Sequence, residues 1–307
     1  MQHLFRRPVL AVAESRPVAA LIRRSGLSQG LVRRFIAGET LAEALTAACG
    51  IADQGMTVTL DQLGENIATA AEARAAVATY VETLERMSAA HLQPNISVKL
   101  TMLGLDLGDD LATSNMRTIL ETARRVQGFV RIDMESSSYT DRTLAIAEAL
   151  HDRFPDEIGT VIQSYLRRSA ADVERLIAHR MRVRLVKGAY AEPATVAYQG
   201  HREVDAAYAR LMERLLDAGI YPAIATHDPA LIRATRGYAL RMGIPSGRYE
   251  FQMLFGVRRD AQAALTAEGY RMRVYVPYGS QWYPYFTRRI AERPANAIFV
   301  LRQLAGG

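Results

Sequence analysis

A helix predicted near the C-terminus carries charged residues on a face that would ordinarily be apolar. Within residues 281–296, the side chains of Tyr285, Arg288, Arg289 and Glu292 stand at positions i, i+3, i+4 and i+7. Adjacent arginines can bind a carboxylate through two parallel hydrogen bonds, and Glu292 can hold one of them. This face therefore indicates a carboxylate clamp, although a solvated surface helix with ordinary ion pairs would show the same spacing.

Further polar side chains stand in or directly after short runs rich in β-branched residues. They are Asp61, Lys99, Asp133, Gln163, Arg184, Lys187, Thr226, His227, Gln252 and Tyr275. Buried parallel strands ordinarily consist of continuous Val, Ile and Leu. Each polar residue alone has a structural explanation; Gln163, for example, could satisfy a neighbouring backbone group. Arg184 is the hardest to explain in this way, because an unpaired guanidinium within a strand costs several kcal/mol.

A strand–helix unit repeats eight times from residue 56 onwards. The predicted strands cover residues 56–60, 96–100, 129–133, 159–163, 183–187, 222–226, 249–253 and 273–277. Strands that alternate with helices indicate a parallel sheet, and eight units without an internal linker favour a (β/α)8 barrel. A doubly wound sheet is the alternative, but its usual G-x-G-x-x-G motif does not follow the first strand. We expect an N-terminal helical cap over residues 1–50 and the barrel over residues 51–307.

Composition narrows the class of protein. The 307 residues are 49% hydrophobic and carry a net charge of +6, which suits a full core and an anionic ligand, cofactor or membrane surface. No run of five or six basic residues occurs, so a nucleic-acid partner is not expected. Cys49 is the only cysteine, which excludes an internal disulfide and indicates a reducing compartment. The histidines lack a metal-binding spacing, and no metal is expected.

In a barrel, the carboxyl ends of the strands meet at one face, where active sites lie. The cations expected there outnumber the anions: Lys99, Arg184, Lys187, Arg288 and Arg289 against Asp133 and Glu292. Such an excess favours a carboxylate substrate, a phosphorylated cofactor, or both.

Two long motifs resemble the proline dehydrogenase family in its short monofunctional bacterial form. They are Val-Arg-Leu-Val-Lys-Gly-Ala-Tyr at 183–190 and Tyr-Phe-Thr-Arg-Arg-Ile-Ala-Glu at 285–292; shorter supporting segments lie at 96–100, 130–135, 161–166, 225–228 and 249–256. The resemblance implies a distorted (β/α)8 barrel with the final helix over its mouth. It also implies oxidation of L-proline to Δ1-pyrroline-5-carboxylate, the first step of proline degradation to glutamate. Hydride would pass to FAD, and the electrons to a membrane quinone.

The resemblance assigns roles to individual residues. Asp133 and Arg184 would be catalytic, with Arg184 near flavin N5 and Asp133 orienting a substrate-binding cation rather than acting as the base. The substrate would contact Lys99, Leu254, Tyr275, Tyr285, Arg288 and Arg289, with Glu292 holding an arginine. The flavin would contact Met134, Gln163, Arg184, Lys187, Gly188, Ala189, Tyr190, Thr226 and His227.

Partners and location follow from the same resemblance. A separate pyrroline-5-carboxylate dehydrogenase would take the product, and the protein would be cytoplasmic, with peripheral attachment to the inner face of the plasma membrane as a variant. Two other hypotheses stay open. A Schiff-base lyase or aldolase would use Lys187, whose pKa neighbouring cations would lower. A barrel that only binds an acidic metabolite would, like the lyase, lack flavin absorbance.

Overall fold

A closed barrel of eight parallel strands forms the centre of the chain. This computed structural model describes residues 33–64, 67–283 and 285. The strands follow one another in sequence order, and the first pairs with the eighth. They are β1 (Thr57–Gln62), β2 (Asn95–Val98), β3 (Phe129–Ile132), β4 (Ile158–Gln163), β5 (Arg182–Val186), β6 (Ala223–Ala225), β7 (Glu250–Leu254) and β8 (Met272–Tyr278). The predicted (β/α)8 barrel is confirmed, and the doubly wound alternative is wrong because the sheet closes on itself.

Helices connect the strands and cover the outside of the barrel. They are α1 (Leu41–Ala52), α2 (Ala70–Ala89), α3 (Asp109–Arg125), α4 (Thr140–His151), α5 (Ser169–Ala178), α6 (His201–Ala218), α7 (Pro229–Arg241) and α8 (Arg259–Ala267). Short 3-10 turns lie at Leu100–Leu103, Ser137–Tyr139 and Ser246–Arg248. Among the residues described, no helix is long and apolar enough to cross a membrane.

Local signals explain where several helices begin. Thr40 and Glu43 form a capping box at α1, and Thr69 and Glu72 form one at α2. In each, the threonine hydroxyl accepts a hydrogen bond from a backbone amide that the helix itself cannot pair, and the glutamate returns the contact. These caps fix the point at which the chain leaves each loop.

The predicted terminal elements are only partly within the described structure. Helix α1 precedes the barrel and packs against β1 and β8, but residues 1–32 lie outside the described range, and the division at residue 50 stays a prediction. Of the predicted helix over 281–296, Tyr283 and Tyr285 are described as helical. Arg288, Arg289 and Glu292 lie outside the described residues.

The barrel strands are buried on both faces. Every residue of β2, β3 and β4 is buried, because the helices cover the outer face while side chains fill the interior. Polar side chains inside such a barrel therefore need partners within it.

Candidate active site

Asp133 is the centre of a polar network at the carboxyl ends of the strands. Its Oδ1 accepts a hydrogen bond from Arg184 Nη1 at 2.8 Å, and its Oδ2 accepts one from the Tyr275 hydroxyl at 2.8 Å. The Lys99 ammonium lies 3.6 Å from the same Oδ2. Arg184 and Tyr275 lie in β5 and β8, and Lys99 and Asp133 directly follow β2 and β3, so the barrel brings together side chains far apart in sequence. A carboxylate that orients neighbouring cations needs contacts of this kind. The predicted orienting role of Asp133 stays a prediction.

Arg184 is buried and hydrogen-bonded to three side chains. Besides Asp133, its Nε donates to Gln252 Oε1 at 2.6 Å and its Nη1 to Ser97 Oγ at 3.1 Å. Its guanidinium carbon lies 5.1 Å from the centre of the Tyr275 ring. The prediction that a guanidinium in this strand needs partners is confirmed. Within the described part of the chain, its buried Nη2 has no hydrogen-bond partner.

Lys99 is paired with Asp61, a strand-end carboxylate to which no role was assigned from the sequence. Its Nζ donates to Asp61 Oδ1 at 2.9 Å, and Asp61 is completely buried. Burial alone would lower the pKa of Lys99, but the carboxylates of Asp61 and Asp133 outweigh burial and hold the pKa well above its ordinary value. The sequence could have indicated Asp61 as a site residue, because it directly follows the first predicted strand.

Lys187 is paired with two carboxylates. Its Nζ lies 2.5 Å from Asp205 Oδ1 and 2.9 Å from Asp228 Oδ2. Burial lowers the pKa of Lys187, but the hydrogen bonds to Asp205 and Asp228 outweigh burial, and the pKa is raised. The expectation that neighbouring cations lower this pKa is therefore wrong. The physical reason is that α6 and α7 begin at this end of the barrel and bring Asp205, in an early turn, and Asp228, an N-cap, to the lysine.

The expected excess of positive charge is not found among the described side chains of the site. Three cations, Lys99, Arg184 and Lys187, face four carboxylates, Asp61, Asp133, Asp205 and Asp228. Of these four carboxylates, the expectation included only Asp133. It also included Arg288 and Arg289, which lie outside the described residues.

Gln163 and Glu135 join the loops after β3 and β4. Gln163 is buried, and its Nε2 donates to the Glu135 backbone carbonyl at 2.9 Å, which is the structural alternative considered for it. The Glu135 carboxylate accepts from Thr101 Oγ1 at 2.6 Å, and burial raises its pKa. Met134, between Asp133 and Glu135, is buried.

Thr226, His227 and Leu254 link the ends of β6 and β7. His227 Nε2 accepts from the Leu254 amide at 2.9 Å, and Thr226 Oγ1 accepts from the Asp228 amide at 3.1 Å. Asp228 caps α7, as considered from the sequence, by accepting from the Ala230 amide. The hydrogen bond between His227 and Leu254 holds the two strand ends together.

The loop after β5 requires its glycine. Gly188 has φ +117°, and a Cβ there would lie 2.3 Å from the Tyr165 ring, so a larger residue would displace the loop. Ala189 and Tyr190 follow it and are partly buried. Tyr285 is buried at the other end of the chain.

Comparisons with known proteins agree with this geometry. The family model described as proline dehydrogenase matches residues 44–302. The chain is 42% identical to a proline dehydrogenase of Deinococcus radiodurans, with 100% of both chains covered, and 40% identical to proline dehydrogenase 1 of Bacillus subtilis, with 98% of both covered.

A solved structure gives the same result. Proline utilization A from Bdellovibrio bacteriovorus, inactivated by N-propargylglycine, superposes with a TM-score of 0.81 at 29% identity. The match covers 86% of this chain and 33% of that longer chain. With a family model that spans most of its length and full-length relatives at about 40% identity, this chain belongs to the proline dehydrogenase family.

Proposed function

We propose that this chain oxidises L-proline to Δ1-pyrroline-5-carboxylate, the first step of proline degradation, with FAD as its cofactor. The observation that carries the proposal is the network of Asp133, Arg184, Lys99 and Tyr275 at the mouth of a barrel of this family. The family is generally flavin-dependent, and FAD is the specific form that we propose.

The residues fit a flavin. Arg184 Nη2 is a buried donor without a partner among the described residues, and such a donor is costly unless a ligand accepts from it. A flavin ring offers nitrogen and oxygen acceptors, and when bound it supplies a two-electron acceptor for hydride. We assign Met134, Gln163 and Arg184 to the ring. The remainder of the cofactor is assigned to Lys187, Gly188, Ala189, Tyr190, Thr226 and His227.

Lys99 is suited to the proline carboxylate. Because its pKa is raised, it keeps its charge throughout the neutral and mildly alkaline range. We propose that it binds the carboxylate together with Arg288 and Arg289, steadied by Glu292. Tyr275, Tyr285 and Leu254 would enclose the ring, and the hydroxyl of Tyr275 is already fixed by Asp133.

Asp133 positions the other groups. Its two oxygens are engaged by Arg184 and Tyr275, with Lys99 close to one of them. A carboxylate held in this way orients its partners and has little capacity left to take a proton from the substrate. This supports the orienting role over a role as general base.

The alternatives are less well supported. A Schiff-base nucleophile needs a lysine with a lowered pKa, and that of Lys187 is raised. A barrel that only binds an acidic metabolite leaves the family membership without an explanation.

We further propose a membrane quinone as the final electron acceptor and a separate pyrroline-5-carboxylate dehydrogenase as the next enzyme. A cytoplasmic location, peripheral to the inner face of the plasma membrane, is compatible with that acceptor and with a single cysteine.

The test is a steady-state assay of the FAD-loaded protein with proline and a soluble quinone analogue. We expect proline-dependent quinone reduction, and a KM for proline raised roughly tenfold or more in Lys99→Met with flavin content unchanged. Absence of proline-dependent reduction by flavin-loaded wild-type protein would overturn the proposal. Inactivation of the wild type by borohydride in the presence of substrate would support the Schiff-base alternative instead.

A further inference from the structure

Gln252 is a buried residue of β7 that connects Arg184 to the opposite end of the barrel. Its Oε1 accepts from Arg184 Nε at 2.6 Å, while its Nε2 donates to Glu250 Oε1 at 2.5 Å. Gln252 and Glu250 are 4% and 2% exposed. Gln252 was among the polar strand-end side chains noted in the sequence, but neither residue was assigned a role, and neither is needed to hold proline in the function proposed above.

Glu250 can only accept hydrogen bonds. Burial would raise its pKa, but the Arg273 guanidinium outweighs burial and holds the pKa at about 2. Arg273 Nε lies 3.0 and 3.2 Å from the two carboxylate oxygens, and the Tyr221 hydroxyl donates to Oε2 at 3.2 Å. An ionised carboxylate has no proton to donate. The end of the Gln252 amide that faces Glu250 must therefore be the NH2 group, which is the donor.

The orientation of the Gln252 amide is therefore fixed by its neighbours. Rotating the amide by a half turn would place its oxygen against the Glu250 carboxylate and its NH2 group against Arg184 Nε–H. Both contacts would be repulsive and would leave buried donors and acceptors unpaired. Gln252 consequently always presents its oxygen to Arg184.

The far end of this chain of contacts is anchored to the barrel framework. Arg273 Nη1 donates to the Val58 backbone carbonyl at 2.7 Å, and its Nη2 donates to Gln93 Oε1 at 3.4 Å. Arg273, Glu250, Gln252 and Arg184 thus form a continuous line from the amino end of the barrel to the active site. Supporting contacts of this kind hold functional side chains in position.

We propose that Gln252 and Glu250 are positioning residues that hold the Arg184 guanidinium in one orientation, so that its Nη2, which has no partner among the described residues, is available to a bound cofactor. The proposal rests on the function proposed above. Without Gln252, Arg184 keeps Asp133 and Ser97 on one side only, and its guanidinium can rotate about that side. A displaced cation would stabilise negative charge on a bound flavin less well.

The test is Gln252→Met, which keeps the length of the side chain and removes both polar contacts. We expect kcat to fall roughly tenfold while the KM for proline changes less than about threefold, because Lys99 is untouched. The two-electron midpoint potential of the bound flavin should fall by about 30 mV, which corresponds to a tenfold loss in the equilibrium constant for reduction.

Thr59→Val is the matched control. Thr59 is equally buried in the barrel, and its hydroxyl donates to Asn95 Oδ1 at 2.6 Å without contacting Arg184. A Gln252→Met variant with the potential and kcat of Thr59→Val would overturn the inference. Should Gln252→Met fail to fold, Glu250→Gln removes the carboxylate that fixes the Gln252 amide and should lower the potential in the same direction; an unchanged potential there would equally overturn the inference. A wild-type protein that does not oxidise proline would instead contradict the proposed function.

Discussion

Asp61 shows how a buried carboxylate can set the charge of a binding residue. It is completely buried beneath Lys99, and its Oδ1 accepts from the lysine at 2.9 Å. Because Lys99 is itself largely buried, it would lose its proton readily without carboxylate partners. Under the proposed function, Asp61 would support substrate binding through Lys99.

Asp61→Asn should make proline binding sensitive to alkaline pH. Burial lowers the pKa of Lys99, and the carboxylates of Asp61 and Asp133 raise it. Without the Asp61 carboxylate, Asp133 is the main group left to oppose the effect of burial. The pKa of Lys99 should fall towards the assay range, and the ammonium that binds the proline carboxylate should be lost as pH rises. We expect KM for proline to rise roughly tenfold between about pH 7 and 9.5 in this variant, measured by steady-state kinetics.

The wild-type protein serves as the control for that experiment. Its Lys99 stays charged across the same range because its pKa is raised, so its KM should show no rise that tracks Lys99. Parallel profiles for the two proteins would mean that Asp61 does not control the charge of Lys99.

At the scale of elements, the segment before α1 lies against the loops at the carboxyl end of the barrel. The Ala37 amide donates to the Pro277 carbonyl at 2.9 Å, and the Gly279 amide donates to the Gly38 carbonyl at 3.0 Å. In the loop between β7 and α8, Gly256 has φ +72°, and a Cβ there would lie 1.6 Å from the Arg34 carbonyl oxygen. This close approach requires glycine.

Gly256→Ala should therefore destabilise the protein more than an ordinary glycine substitution. Gly269→Ala is the matched control, because Gly269 has φ +82° but open space around its Cβ position. Backbone strain should cost each variant about 1–2 kcal/mol, and displacement of the Arg34 backbone should cost Gly256→Ala roughly 2 kcal/mol more. Urea unfolding measures both, and equal losses would show that residue 34 does not hold this loop.

At the scale of the whole molecule, a buried ion pair helps to close the barrel. Glu250 on β7 pairs with Arg273 on β8, and Arg273 also donates to the Val58 carbonyl on β1. Three strands that meet where the barrel closes are thus joined through one guanidinium. The pairing holds the pKa of Glu250 at about 2, below the value of about 4.3 expected in the unfolded chain.

This pKa difference predicts acid sensitivity of a definite sign. A lowered native pKa contributes stability that is complete above about pH 4.3 and is lost as pH falls towards the native value. Between pH 7 and 3 the wild type should lose roughly 2 kcal/mol from this group alone, whereas Glu250→Gln lacks that loss. The difference in unfolding free energy between the two proteins should therefore shrink on acidification; a difference independent of pH would contradict the pairing.

Much of the barrel could be predicted from the sequence, because eight β-branched runs alternate with helices and each strand lies within two residues of its predicted bounds. The need of Arg184 for partners was also predictable, since a guanidinium in a buried strand must be satisfied. The partners themselves were not. Asp205, Asp228 and Glu250 become neighbours of their cations only through helix starts and strand register, which a single sequence does not reveal.

The central claim is that polar groups from separate strand ends form one chamber in which proline reduces a bound flavin. Anaerobic titration of the FAD-loaded protein with proline, followed by the flavin absorbance band, tests it most directly. The account predicts that the band bleaches in proportion to added proline until the flavin is fully reduced. A flavin-loaded protein whose spectrum is unaffected by excess proline would contradict it.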